Sequence, residues 1–298
     1  MNTNFNINLD NFNPSTLASS LMLINVSISA WSGRKLDKRV SEEVDQAKST
    51  KARAGNYNKN LFAGTSKLDE ITKLSNAARS YVYGVTQPWG DNGDRAFYVH
   101  QLTEVQERLE EHKQAFAAKV IEFLNDYDTL VSAAAFQLGD LFNREDYPSR
   151  DAVAAKFSFR YTVTPVPLAG DFRVDINNEG MRQLQEQYNE ALRERVTGAM
   201  QDAWDRLHEC LSHMSERLAD KDAEGGRKKF HDTLVENAQE LTGLLKSFNI
   251  TNDTRMDEMR RQLEETLRGV DAPMLRDSDE IRRATKRKVD DMLDKFSI

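Results

Sequence analysis

The sequence predicts a predominantly α-helical α+β protein with long heptad-patterned helices, a helical hairpin and a small antiparallel sheet of two or three strands. Three observations predict it. Leu102, Leu109, Phe116, Phe123 and Leu130 fall at strict seven-residue spacing, the coiled-coil period. Met200, Trp204, Leu207, Leu211, Met214 and Leu218 follow a 4-3-4-3-4 spacing, one stripe of an amphipathic helix. Two short stretches, Leu21 to Trp31 and Phe157 to Val166, instead alternate with a period of two, the signature of strands.

Along the chain, Met1 to Asn13 is rich in Asn and reads as an irregular arm. In the first strand Met22, Ile24, Val26, Ile28 and Ala30 alternate with Leu23, Asn25, Ser27, Ser29 and Trp31, and Ser32-Gly33 ends it. Leu36, Val40 and Val44 then recur every four residues as a helix stripe, broken at Ala54-Gly55-Asn56. A second helix is expected from about Asn58 to Tyr81. The segment from Gly84 to Gly93 is the most loop-like, with Trp89 among turn residues; on an exposed tip that ring would serve recognition, and folded back it would plug a core, the stronger reading. The heptads predict one helix from Phe97 to Phe142, roughly 60–70 Å long at about 1.5 Å per residue. Pro148 and Ser149 open a short helix through Lys156. After the Phe157 strand, the turn at Ala169-Gly170-Asp171 leads to a third strand, Phe172 to Ile176, completing a hairpin beside which the first strand is placed.

From Glu179 the chain is helical nearly to its end. Gly225-Gly226 divides the Met200 helix from one carrying Phe230, Leu234, Asn237, Leu241, Leu244 and Phe248, with Asn237 in the seam as a register-setting polar residue. Asn252 or Asp253 caps a helix bearing Met256, Met259 and Leu263, and Pro273 precedes a last helix bearing Ile281, Val289, Met292 and Phe296. The domain boundary is expected at 180/181, between an N-terminal α+β region with the small sheet and the long helix and a C-terminal set of helices.

Composition narrows the function. The chain is 39% hydrophobic, enough to bury real cores, and its single cysteine excludes a disulfide framework and points to the cytoplasm. No stretch approaches 18 uncharged apolar residues, so no membrane partner is expected, and Asp10 without any Lys or Arg in the first 20 residues is the wrong flank for a secretory signal. The net charge of −7 is unevenly spread: residues 34–59 carry +4, residues 60–254 carry −10, and residues 255–298 balance. Duplex nucleic acid is therefore not the favoured partner, although the patch from Arg34 to Lys59 is a local basic footprint.

Tests for chemistry find little. Ser32-Gly33-Arg34-Lys35 has a single glycine where a phosphate loop needs several. His208 and His213 are five apart and face different ways on a helix, and Glu209 and His213 lack a second Glu/His pair, so neither a metal nor another cofactor is expected. No Gly-x-Ser-x-Gly elbow occurs. Carboxylates such as Glu107, Glu110 and Glu111 interleave with cations as solvated helix faces, so no catalytic residue is assigned. Phe157, Phe159, Arg160 and Tyr161 mimic a base-stacking platform, but their rings share one face of a sheet that must bury something, and core is the stronger reading. Arg282, Arg283, Lys286, Arg287 and Lys288, with acids on both sides, read as a surface helix.

Two stretches resemble a known family. The junction Leu23-Ile24-Asn25-Val26-Ser27-Ile28-Ser29-Ala30-Trp31-Ser32-Gly33-Arg34-Lys35 is similar to the opening of domain of unknown function family 3150, and Phe157-Ser158-Phe159-Arg160-Tyr161-Thr162-Val163-Thr164-Pro165 to its second strand. The resemblance covers roughly residues 15–180, rests mainly on Trp31 to Lys35, and extends to the C-terminal part only in its helicity. That family occurs in bacteria, phages and integrative elements, often encoded near a MoxR-type AAA+ ATPase and sometimes near a von Willebrand factor A protein. The resemblance implies a phage or mobile-element accessory protein, an adaptor or substrate of that ATPase, and supplies no catalytic residues. The expectation is thus a non-enzymatic interaction or assembly factor whose seams pair within the chain, between copies, or both. Its candidate interaction residues are Trp31, Arg34, Lys35, Lys38, Arg39 and Trp89. The alternative is a nucleic-acid-associated replication or recombination factor using residues 34–59, and the third reading is an enzyme of undetected type.

Overall fold

The computed structural model describes residues 5, 7, 9, 13–167, 178–219, 228 and 230–295. In chain order the elements are α1 (Pro14–Ser20), β1 (Leu21–Ser29), β2 (Arg34–Asp37), α2 (Lys38–Ala47), β3 (Tyr57–Asn60), α3 (Lys67–Val85), β4 (Gln87–Pro88) and β5 (Arg95–Tyr98). Then follow α4 (Leu102–Asn125), α5 (Tyr127–Leu138), α6 (Arg150–Ala154), β6 (Ser158–Pro165), α7 (Asn178–Leu218), α8 (Thr233–Phe248), α9 (Thr254–Leu267), α10 (Ala272–Asp277) and α11 (Asp279–Asp294). The protein is mostly helical, with a four-stranded sheet in the order β4-β5-β1-β6 and a separate two-stranded sheet, β2-β3. As expected, the first strand lies beside the Phe157 strand. Four further strands were not legible, because each is only two to four residues long and shows no alternation.

The chain forms two compact units. One comprises Met1–Asn25, Val85–Leu102 and Val163–Ile298; the other comprises Val26–Gly84 and Thr103–Thr162. The first unit takes in residues on both sides of 180, and β1 and β6 each begin in one unit and end in the other.

In the first unit, Leu21 to Ile24 of β1 pair antiparallel with Tyr98 to Arg95 of β5. The stripe on α7 is buried as its spacing requires, from Leu192 and Val196 through Met200, Trp204, Leu207, Leu211 and Met214 to Leu218. It packs against α8 and α11, and α9 joins both, so these seams are filled within the chain. The seam of α8 consists of Leu234, Val235, Ala238, Thr242, Leu245 and Phe248. Asn237 is exposed rather than set in it, because the buried arc follows a 3.6-residue helix one position away from the assumed heptad. Asp253 caps α9 by accepting from the Arg255 amide at 2.9 Å, and Asp271 and Ser278 cap α10 and α11 in the same way.

The basic run in α11 is not wholly a surface face. Arg282 is 1% exposed. Its guanidinium donates to the carbonyls of Arg217, Leu218, Ala219 and Lys228, each at 3.0 Å, and lies over the Phe230 ring. Carbonyls at a helix C-terminus lack intrahelical partners, and a cation there also complements the helix dipole. Arg282 thus satisfies the end of α7. The expected third strand at Phe172 to Ile176, the Gly225-Gly226 break and Phe296 lie outside the described residues.

In the second unit the long helix is corrected to two. Phe97 belongs to β5, α4 starts at Leu102, and α5 starts at Tyr127 and ends at Leu138 rather than Phe142. The heptad holds through Leu109, Phe116 and Phe123. Tyr127, Val131 and Ala134 then continue the buried face, and the Tyr127 hydroxyl donates to the Pro148 carbonyl at 2.7 Å. Asp126 stands between the two helices. The α4 stripe packs inside the chain, with Phe116 edge-on to Phe157 and Phe159. Lys67 ties α3 to α4, 2.6 Å from Glu122 and 2.8 Å from Asp126.

The helix expected from Leu36 is also corrected. Arg34 to Asp37 pair antiparallel with Asn60 to Tyr57, so β2 and β3 form a ribbon and α2 begins only at Lys38. The helix expected from Asn58 starts instead at Lys67. Gly33 makes the entry possible: its φ is +61°, and a Cβ there would meet Leu68 Cδ1 at 2.4 Å.

Candidate functional site

The ribbon β2–β3 and helix α2 form one module of the second unit, and its construction starts from charge. Asp37 caps α2 by accepting from the Val40 amide at 3.2 Å. It also lies 3.1 Å from the Lys59 ammonium, which lies 2.8 Å from Asp146 and donates to the Leu141 carbonyl at 2.8 Å. Lys59 is 5% exposed. The Val40 amide, followed by Lys59, holds the Asp37 carboxyl below its usual range. Burial pulls Lys59 down, but hydrogen bonds to Asp146 and Asp37 outweigh it and keep the ammonium above its ordinary value. An ionic clamp therefore fixes the ribbon to the turn at 141–146.

A second set of bonds shapes the far side of α2. The Tyr57 amide donates to Ser41 Oγ at 2.9 Å, and Ser41 Oγ donates to the Asp37 carbonyl at 2.7 Å. Asp45 gathers the segment after the helix: its carbonyl accepts from the Thr50 amide at 3.0 Å and its carboxylate from the Ala54 amide at 3.1 Å. Between α2 and this segment lies a cleft of about 340 Å³, walled by Ser41, Val44, Asp45, Lys48, Ala54 and Tyr57 among others. Helix α2 buries only Ser41. Val44 is 52% exposed, Tyr57 40% and Leu36 37%.

The expected site residues separate. Trp31 is half-buried, its ring edge-on to Phe62 at 5.6 Å, and Phe62 in turn meets Phe123, Tyr127 and Tyr147. It anchors the entry to the module. Arg34, Lys35, Lys38 and Arg39 are all exposed on the module. Arg39 donates to the Asp140 carbonyl at 3.1 Å, and Lys35 lies 3.9 Å from Asp146. Trp89 belongs to the other unit and is 1% exposed, so it fills a core and presents no ring for recognition. Sequence reasoning missed Leu36, Val44 and Tyr57 as surface residues, since the four-residue spacing of Leu36, Val40 and Val44 looked like a core stripe. It also missed Lys59, whose partner Asp146 is far away in sequence.

The metal-type residues on α7 do not converge. Cys210 is half-buried, and burial pushes its thiol to about 11, while His213 is exposed and accepts from Arg217 Nε at 3.2 Å. Among the described residues no group of three His, Cys, Asp or Glu side chains is placed to hold a metal ion. Nor is any helix among them long and apolar enough to cross a membrane.

A family model described as Protein of unknown function (DUF3150) matches residues 18–273, and the chain belongs to that family. No curated protein and no solved structure matches it.

Proposed function

We propose that this member of the DUF3150 family is a non-enzymatic interaction factor that docks a protein partner through the β2–α2–β3 module. The observation that carries the reading is that α2 fully buries no apolar side chain: Val40 is half-buried, and Val44, with Leu36 and Tyr57, stands in solvent. Val44 and Tyr57 border one cleft, and Leu36 stands on the opposite face of the ribbon; large apolar side chains held in solvent on so short a module favour a partner surface over plain solvation. The heptad seams of α4 and α7 are spent inside the chain, so we assign the partner to this module rather than to a coiled-coil seam. In a phage or mobile-element setting, the partner to test first is a MoxR-type AAA+ ATPase, with the protein acting in the cytoplasm as its adaptor or substrate; a homo-oligomer is the other assembly to measure.

The test is affinity capture of the tagged chain from host cells expressing its neighbouring genes, with and without nuclease, read by mass spectrometry. A nuclease-resistant AAA+ ATPase in near-stoichiometric amount, reduced by Leu36→Asp, supports the reading. Proteins lost on nuclease treatment, with nucleic acid recovered, overturn it. The second reading, a nucleic-acid-associated factor, is favoured by one observation: Arg34, Lys38, Lys48 and Lys51 meet no carboxylate among the described residues. Salt-sensitive oligonucleotide binding lost on Arg34→Ala, Lys35→Ala, Lys38→Ala and Arg39→Ala would select it.

A further inference from the structure

We infer that the cleft beside α2 receives an acidic peptide segment of a partner protein, with one large apolar side chain seated against Val44 and Tyr57 and its carboxylates on the cations around the rim. This rests on the interaction reading above and assigns the chemistry of the partner.

The cleft is built before anything enters it. Ser41 and Asp45 hold both of its walls through backbone amides of the opposite wall, those of Tyr57, Thr50 and Ala54. A preformed site spares the ordering cost that a flexible one exacts on binding. Its volume of about 340 Å³ sits at the low end of the range of about 300–1,000 Å³ for ligand pockets, which suits a single side chain better than a cofactor.

The charges decide the occupant. The four acids of the module are all engaged: Asp37 with Lys59, Glu42 with Arg53 at 3.4 Å, Glu43 with Arg39 at 3.7 Å, and Asp45 with the Ala54 amide. Arg34, Lys38, Lys48 and Lys51 are left without an acid among the described residues, so the module's unpaired charge is positive, and Lys48 brings it to the cleft wall. Asp45 lines the cleft itself. A phosphate chain threaded there would therefore meet a carboxylate, whereas a peptide places an apolar group at that point and its acids at the rim. Exposed charges of opposite sign chiefly raise the association rate and set register, while the apolar anchor supplies most of the affinity.

The experiment is a display selection of random 12-residue peptides on the full chain, followed by fluorescence anisotropy of the enriched peptides. Val44→Glu and the combined Lys38→Ala, Lys48→Ala, Lys51→Ala variant serve as comparisons, each checked for an unchanged melting curve. The expected result is enrichment of one Leu, Ile, Phe or Trp flanked by Asp and Glu. Val44→Glu should weaken such a peptide at least tenfold, and the triple variant should weaken it and flatten its salt dependence. No enrichment, enrichment without acids, or binding indifferent to Val44→Glu overturns the inference. So does oligo-dT binding lost in the same variants, or a dimer of the wild type in light scattering that Val44→Glu dissolves. If the Val44→Glu chain still captures its cellular partner, the interaction reading stands and the cleft is not its site.

Discussion

Replacing Lys59 with Met tests whether the ionic clamp holds the module in place. Lys59 is 5% exposed, and its ammonium stands 2.8 Å from Asp146 and 3.1 Å from Asp37, with the Leu141 carbonyl at 2.8 Å. Met fills much of the same space, so the change removes charge and donors rather than volume. Asp37 keeps the Val40 amide, but Asp146 keeps only Lys35 at 3.9 Å, and the two carboxylates then face each other across a site shielded from water. Removing one partner of a buried ionic cluster costs about 3–5 kcal/mol. For a unit of this size, at about 3–4 °C per kcal/mol, the transition should fall by about 10–20 °C.

Calorimetry across pH gives the sharper readout. The folded Asp37 carboxyl lies below its unfolded value, so its contribution is complete above about pH 4 and is lost as pH falls through the folded value. The folded Lys59 lies above its unfolded value, so its contribution is complete below about pH 10 and is lost as pH rises through the folded value. The wild type should therefore show a stability plateau between about pH 5 and 10. In Lys59→Met, acid neutralises carboxylates that repel one another, so the gap from wild type should narrow below about pH 4. Adding Asp146→Asn should recover part of the loss. A shift under about 2 °C at pH 7, or a gap independent of pH, would refute the reasoning.

Other expected outcomes concern both units. Arg282→Met strands three carbonyls at the end of α7 and that of Lys228 and should cost about 3–5 kcal/mol; Arg282→Lys should rescue little, because one ammonium cannot span them, and full stability of the Lys variant in urea denaturation would contradict this. Gly33→Ala forces a side chain into φ +61° and against Leu68, for a loss of about 1–3 kcal/mol by the same assay. Cys210, with its thiol at about 11, should react with an aromatic disulfide reagent at pH 8 about a hundredfold more slowly in the native protein than in urea, and equal rates would mean the helix face is open.

The legibility of the fold follows the length of each pattern. Stripes of six residues on α7 and alternation over eight residues in β6 integrate enough burial to be read without a structure. The ribbon was invisible because Arg34-Lys35-Leu36-Asp37 and Tyr57-Asn58-Lys59-Asn60 are too short and too polar to alternate, and because α2 and the segment after it separate them in sequence. Arg282 was misread for a related reason. A basic run flanked by acids is a sound sign of a solvated helix, and only the nearby end of another helix, over sixty residues earlier, makes one of those arginines a buried cap. Periodicity reports which face is apolar. It carries no information about which polar group meets an orphaned carbonyl.

The same limit applies to the candidate site. The sequence shows a surplus of four positive charges over residues 34–59 but not which cations compose it. Folding spends Lys59 on two acids, Arg39 and Arg53 on one each and Lys35 on Asp146 at 3.9 Å, and the surplus falls on Arg34, Lys38, Lys48 and Lys51. Four unpaired cations limit what the module can do to nucleic acid while its ion pairs stay closed. At a slope of about −0.9 per phosphate neutralised, duplex binding through them would show a log–log salt slope no steeper than about −3.6, short of the 6–10 contacts common in such proteins. An acidic peptide needs no more than these, because its affinity is carried by the apolar anchor and its charges act within a Debye length of about 8 Å. A measured slope much steeper than −4 would require Lys35, Arg39 or Arg53 to leave their acids for phosphate, or cations elsewhere on the chain, and would count against the peptide reading.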